Sequence, residues 1–176
     1  MNNGTTASEH KLSEEARQRI YALRNNYPEG RSASAVIPAL HIVQAEIGFI
    51  STEAVGEVAG LLDMLVSEVE QVVTFYRMFF TKPVGKYVIK VCDSISCYLR
   101  GSDELLEKGK EKLSLKLGET TPDGRITLMK IECLAACSAA PCAQVNDEYV
   151  YNLNPELFVA MLEELKTAEE NPYYLP

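Results

Sequence analysis

The first 91 residues contain no cysteine, and no uncharged run anywhere is long enough to cross a bilayer. The longest such runs, residues 32–45 and 133–146, hold 14 residues each, short of the ~20 that a spanning helix needs. Positive charge is also scarce, at 17 basic against 25 acidic residues for a net of −8. That balance excludes the basic stripe of a nucleic-acid binder and disfavours an anionic membrane surface. Residues 1–12 lack an apolar stretch and lack arginine, so they read neither as a secretory signal nor as a transit peptide. A cytoplasmic chain with reduced thiols is the expectation. There is no G-x-G-x-x-G and no P-loop, so no motif for a dinucleotide or nucleotide site is present. Cys-x-x-Cys, the thioredoxin-type redox motif, is absent as well.

What is present is an ordinary globular composition of 176 residues, 47% hydrophobic and 24% charged, enough for one domain or two small ones. The first half reads as helical. Ser13 is a candidate N-cap ahead of Glu14 and Glu15, and Ala16, Ile20, Leu23 and Tyr27 form one apolar stripe ended by Pro28 and Gly30. Val36, Leu40, Val43 and Ile47 repeat that spacing up to Gly48. A third helix starts near Ser51 with Val55, Val58 and Leu62. A fourth carries Leu65, Val69, Val72 and Tyr76, with Ser67 and Glu70 fitting a capping box. Four short helices predict a small bundle. After residue 81 the pattern changes to a strand over 86–91, a helix capped by Ser102 and running to about Leu117, and a strand over 125–131. A hairpin over 143–145 and 148–151 follows, then a helix starting at Asn154-Pro155-Glu156 and running to about Thr167. That order predicts an α/β sandwich of the thioredoxin kind. The boundaries expected are a tail at 1–12, a helical bundle at 13–81, an α/β domain at 82–168 and a tail at 169–176.

The five cysteines are the informative residues. They read Cys92-x4-Cys97, then 35 residues, then Cys133-x3-Cys137, with Cys142 five further on. An odd number in one stretch is a poor disulfide framework and a good metal site. Both pairs fall where a predicted strand ends, which is where ligands collect in open α/β sheets. Two parallel strands ending side by side would bring the pairs together. Structural zinc sites favour two-residue gaps, whereas gaps of four and three suit a [2Fe–2S] unit, whose irons each need a pair of sulfurs. The small neighbours Ser94, Ser96, Ala135, Ala136, Ser138, Ala139 and Ala140 let backbone N–H groups approach sulfur. No lysine or arginine occurs from Cys133 to Asn146, which predicts a low reduction potential. The iron–sulfur reading is favoured over zinc, and over a redox dithiol or buried free thiols. Cys142 stays ambiguous, because Cys137-x4-Cys142 copies the first gap and could leave Cys133 as the spare.

With these residues in view, the chain resembles the E subunits of bacterial NADH:quinone oxidoreductase (respiratory complex I), the thioredoxin-like [2Fe–2S] ferredoxin family. The resemblance lies in Val91-Cys92-Asp93-Ser94-Ile95-Ser96-Cys97, Glu132-Cys133-Leu134-Ala135-Ala136-Cys137, Ala140-Pro141 and Val145-Asn146-Asp147. Upstream it includes Glu46-Ile47-Gly48-Phe49-Ile50 and Thr74-Phe75-Tyr76. It implies one [2Fe–2S] cluster held by Cys92, Cys97, Cys133 and Cys137, with Cys142 outside the ligand set. The sequence departs from the family pattern at Ala135, where glycine is common, and at Cys142, where an apolar residue is common. Alanine costs little at that first position unless the backbone there needs a positive φ. Pro141, opening a predicted strand, is expected to be cis.

The family further implies an electron-transfer subunit docked on an F-type partner that binds NADH and FMN, among other peripheral-arm subunits at the inner face of the cell membrane. Neither nucleic acid nor direct membrane insertion is expected. The cluster would exchange single electrons with the partner's flavin; the chain would not be catalytic alone. The alternative is the equivalent diaphorase subunit of an NAD-dependent formate dehydrogenase or an NAD-linked hydrogenase. His10, in the tail, and His41, beside an apolar stripe, carry no catalytic signature. Phe75, Tyr76, Phe79 and Phe80 read as core in preference to a surface packed on a partner.

Overall fold

A computed structural model describes residues 11–173, which divide between Pro83 and Val84 into two compact units. The first is all helix: α1 Glu14–Leu23, α2 Val36–Ile47, α3 Thr52–Leu62 and α4 Val66–Phe75, with 3₁₀ turns at Arg24–Asn26 and Ser32–Ala35. Ser13 and Ser51 cap α1 and α3, each hydroxyl accepting an N–H three residues on at 3.1 Å, which satisfies a donor the helix itself cannot. Gly48 ends α2 with φ +90°, the left-handed turn that glycine adopts without Cβ strain. The expected stripes meet in one core that includes Ala16, Ile20, Leu40, Val43, Val58 and Leu62.

Three expectations for this half need correction. The fourth helix has its N-cap at Leu65, two residues before Ser67: the Leu65 N–H donates to the Glu68 carboxylate at 2.8 Å, the acid three residues on supplying the acceptor that the helix start lacks. The aromatic set splits. Phe79 is core, Phe80 is half-buried, and Phe75, one residue short of where α4 unwinds, is 77% exposed. Leu12, read as the end of a tail, is buried in the helical core. His41 lies against Phe79, ring centroids 5.2 Å apart, and His10 lies outside the described residues.

The second unit contains β1 Tyr87–Cys92, α5 Ile95–Leu99, α6 Ser102–Leu113, β2 Ile126–Ile131, β3 Ala143–Val145, β4 Glu148–Val150 and α7 Pro155–Thr167. The sheet order is β2-β1-β3-β4, with β1 parallel to β2 and antiparallel to β3. Successive strand side chains point to opposite faces. Tyr87, Ile89 and Val91 of β1 therefore pack with Leu105 of α6 and Phe158, Leu162 and Leu165 of α7, while Cys92 emerges on the other side. The α6 and α7 core so fixes the plane of β1. Helix α6 stops at Leu113, earlier than the expected Leu117, because Ser114 turns left-handed at φ +54°. Gly101, not Ser102, is the N-cap of α6. In the segment read as a C-terminal tail, Tyr173 packs on the α6/α7 core and its hydroxyl donates to Glu164 at 2.8 Å.

Candidate metal centre

The parallel register of β1 and β2 pairs Cys92 with Ile131, so both cysteine loops start from the same end of the sheet. Cys92 is held on either side: its N–H donates to the Cys142 carbonyl at 3.1 Å, and the next N–H, of Asp93, donates to the Ile131 carbonyl at 2.8 Å. From there the chain enters α5, a five-residue helix whose last turn carries Cys97. Sequence reasoning missed α5, although Ile95, Tyr98 and Leu99 stand at i, i+3 and i+4 after Ser94. That stripe faces outward, 74%, 55% and 76% exposed. The second loop leaves β2, carries Cys133 and Ala135, and turns 3₁₀ at Cys137–Ala139. It is pinned by the Tyr149 hydroxyl donating to the Leu134 carbonyl at 3.0 Å, and by the Asn152 and Leu153 N–H groups donating to Ala139 and Pro141. The Ala140–Pro141 peptide is cis, as expected.

All five cysteines are free thiols. Cys92, Cys97 and Cys142 come together, their sulfurs within 4.8 Å of one another and buried. Cys133 and Cys137 are exposed on the second loop and stand outside that trio; the Cys133 sulfur accepts the Ala135 N–H at 3.3 Å. Burial pushes the Cys92 thiol up, but the N–H groups of Ser94 and Leu134, with the Cys97 and Cys142 thiols, outweigh burial and hold it below the ordinary thiol range. Leu134 thereby links the second loop to the sulfur of the first. Burial raises Cys97, with Cys92 adding to it. Burial, then Cys97 and Cys92, pushes Cys142 up to about 12. Ala135 has φ +56°, the backbone in which alanine is strained and glycine is not.

Nearby charge is balanced: Lys130 pairs with Asp93 at 2.9 Å, leaving no cation on the second loop. The donor set fits an iron–sulfur cluster. Soft thiols from two adjacent loops, small side chains and backbone N–H groups aimed at sulfur are what such a group requires.

Residues 20–166 match the thioredoxin-like [2Fe-2S] ferredoxin family. The chain belongs to that family. This ferredoxin-family chain is 42% identical over 153 residues, 87% of its length and 90% of the relative's, to the second E-type NADH-quinone oxidoreductase subunit of Rhizobium meliloti (strain 1021). It is also 42% identical to the E-type NADH-quinone oxidoreductase subunit of Rickettsia bellii (strain RML369-C), over 80% of its length and 84% of the relative's. Among solved structures it resembles an NAD+-reducing [NiFe]-hydrogenase in the air-oxidized state, with a TM-score of 0.68. That match covers 80% of this chain and 24% of the other at 19% identity, a likeness of fold alone. No helix among the described residues is long and apolar enough to cross a membrane.

Proposed function

We propose that this chain is the cluster-bearing E-type subunit of an NADH:quinone oxidoreductase, passing single electrons to and from the flavin of a partner that oxidises NADH. Cys92, Cys97, Cys133 and Cys137 are the ligands of its [2Fe–2S] cluster, while FMN and NADH belong to the F-type partner. The observation that carries this reading is the β1/β2 register, which starts both cysteine loops from neighbouring strand ends. When bound, the cluster supplies a one-electron acceptor beside a two-electron donor.

The chain's own residues set the conditions for that exchange. Ser94 and Leu134 direct N–H groups at the Cys92 sulfur, stabilising negative charge there. The absence of lysine and arginine from 133 to 146 works the other way and keeps the reduction potential low. Exposed Ile95, Tyr98 and Leu99 on α5 surround the Cys97 end of the site with apolar surface, suited to a partner that must approach closely and exclude water. Attachment through such a partner holds the chain at the inner face of the cell membrane.

Anaerobic purification with iron and sulfide analysis is the test. Equal iron and sulfide in the proportions of the cluster, with an S = 1/2 EPR signal on reduction, support the reading; zinc in place of iron overturns it. A native pull-down is expected to bring the flavin subunit and its quinone-reducing assembly. Hydrogenase or formate dehydrogenase subunits in their place would overturn the choice of host complex.

A further inference from the structure

Three of the five thiols face one another away from water. Cys92, Cys97 and Cys142 are 2%, 1% and 0% exposed, and the Cys97 and Cys142 sulfurs are 3.8 Å apart. Leu134 and Ala140 are buried around them, with Ile131 and Ala136 packed alongside. No carboxylate or imidazole joins the three sulfurs among the described residues. The donors are also fixed in advance: Cys92 ends a strand buried along its whole length, and its N–H bonds the carbonyl of Cys142.

Ligand type and number select the ion. Thiolates are soft donors that favour copper(I), zinc or iron–sulfur units. Structural zinc almost always takes four ligands in a tetrahedron, and only three converge here. Copper(I) is satisfied by three sulfurs and needs no water in an apolar pocket.

We propose that Cys92, Cys97 and Cys142 form a second, mononuclear site for copper(I), alternative to the cluster because it uses two of the same sulfurs. Binding releases the thiol protons to solvent and leaves copper in its +1 state. The mutual exclusion rests on the ligand assignment proposed above; the copper site itself does not. Cys142 is the residue that distinguishes the two occupants.

The test uses the full-length chain, stripped of metal and kept reduced without oxygen, titrated with copper(I) buffered by bicinchoninate. The wild type is expected to take up a single copper, and X-ray absorption to count three sulfurs around it. Cys142→Ser offers a hard oxygen of similar size and is expected to weaken binding by about a hundredfold, since losing even a group that hydrogen-bonds a ligand costs about 10–100-fold. The Cys133→Ser/Cys137→Ser pair is expected to leave copper affinity unchanged. Circular dichroism confirms that each variant is folded, and the sulfur count on wild type needs no variant at all. Unchanged affinity in Cys142→Ser, loss of affinity in the Cys133/Cys137 pair, or a count of two or four sulfurs would overturn the site. In cluster-loaded protein, copper(I) is expected to displace iron from the wild type and to spare it in Cys142→Ser. Copper bound at the trio with iron retained would overturn the exclusion alone.

Discussion

The helical unit and the α/β unit bury their apolar residues to different ends. The helical unit has one core, and among the described residues its only buried polar one is Ser51, used as a cap. The α/β unit has two: a large one between sheet and helices, and a small one made of three cysteines, Leu134 and Ala140. β1 belongs to both, giving Val91 to the first and Cys92 to the second. Chemistry in this chain therefore sits on the back of a strand whose front is committed to packing. The described residues of the helical unit carry no counterpart.

Truncation of each core should separate the units most strongly. Phe158→Ala is expected to cost about 3–5 kcal/mol and Leu40→Ala about 2–5 kcal/mol, both residues being fully buried. Thermal unfolding followed by cluster absorbance should show early bleaching for Phe158→Ala and not for Leu40→Ala; equal bleaching would break the comparison. Glycines sharpen it further. A Cβ at Gly109 would lie 2.8 Å from Leu128 Cδ2 and 2.9 Å from Phe158 Cε1, so Gly109→Ala is expected to cost about 1–3 kcal/mol. Gly56 in α3 has open space around its Cβ position, and Gly56→Ala should stabilise by about 0.5–1 kcal/mol. Urea unfolding of the two variants should shift in opposite directions.

A smaller effect lies in the second cysteine loop. Ala135→Gly should relieve about 1 kcal/mol of left-handed strain, raising the urea midpoint while iron content stays the same. Smallest is the link between α6 and α7. Hydrogen bonds from Lys112 and Lys166 hold the Glu163 carboxyl below its usual range. Its contribution is therefore present above the ordinary value of 4.5 and disappears as pH falls through the depressed folded value. Glu163→Gln should melt slightly below wild type at pH 7, and the two melting curves should merge in more acidic solution.

Most elements were legible because local signals agreed with burial. Ser13, Ser51 and Asn154 cap where their side chains predict, and the turn at Asn146-Asp147 joins β3 to β4. Legibility failed where a nonlocal partner decided the outcome. Phe75 and Phe79 are the same residue type four positions apart, yet Phe79 packs on His41 of α2 while Phe75 faces solvent. Helix α5 is too short to show a buried stripe, and its apolar residues point outward. At the metal centre, the loops and strand ends were readable from spacing. The depth of each sulfur was not, because burial of Cys142 depends on its carbonyl pairing with the Cys92 N–H across the sheet. Ala135 was flagged by its place in the motif; only the backbone angle turned that flag into a cost.

The side on which the Cys92 sulfur emerges is a matter of parity. Odd-numbered positions of β1 serve the helices, and the even-numbered face ends in Cys92 among the clustered sulfurs, so losing one residue from that strand would turn Cys92 toward the helices. Losing two would keep it on its own face. Length changes in this strand should therefore be tolerated, if at all, only in pairs.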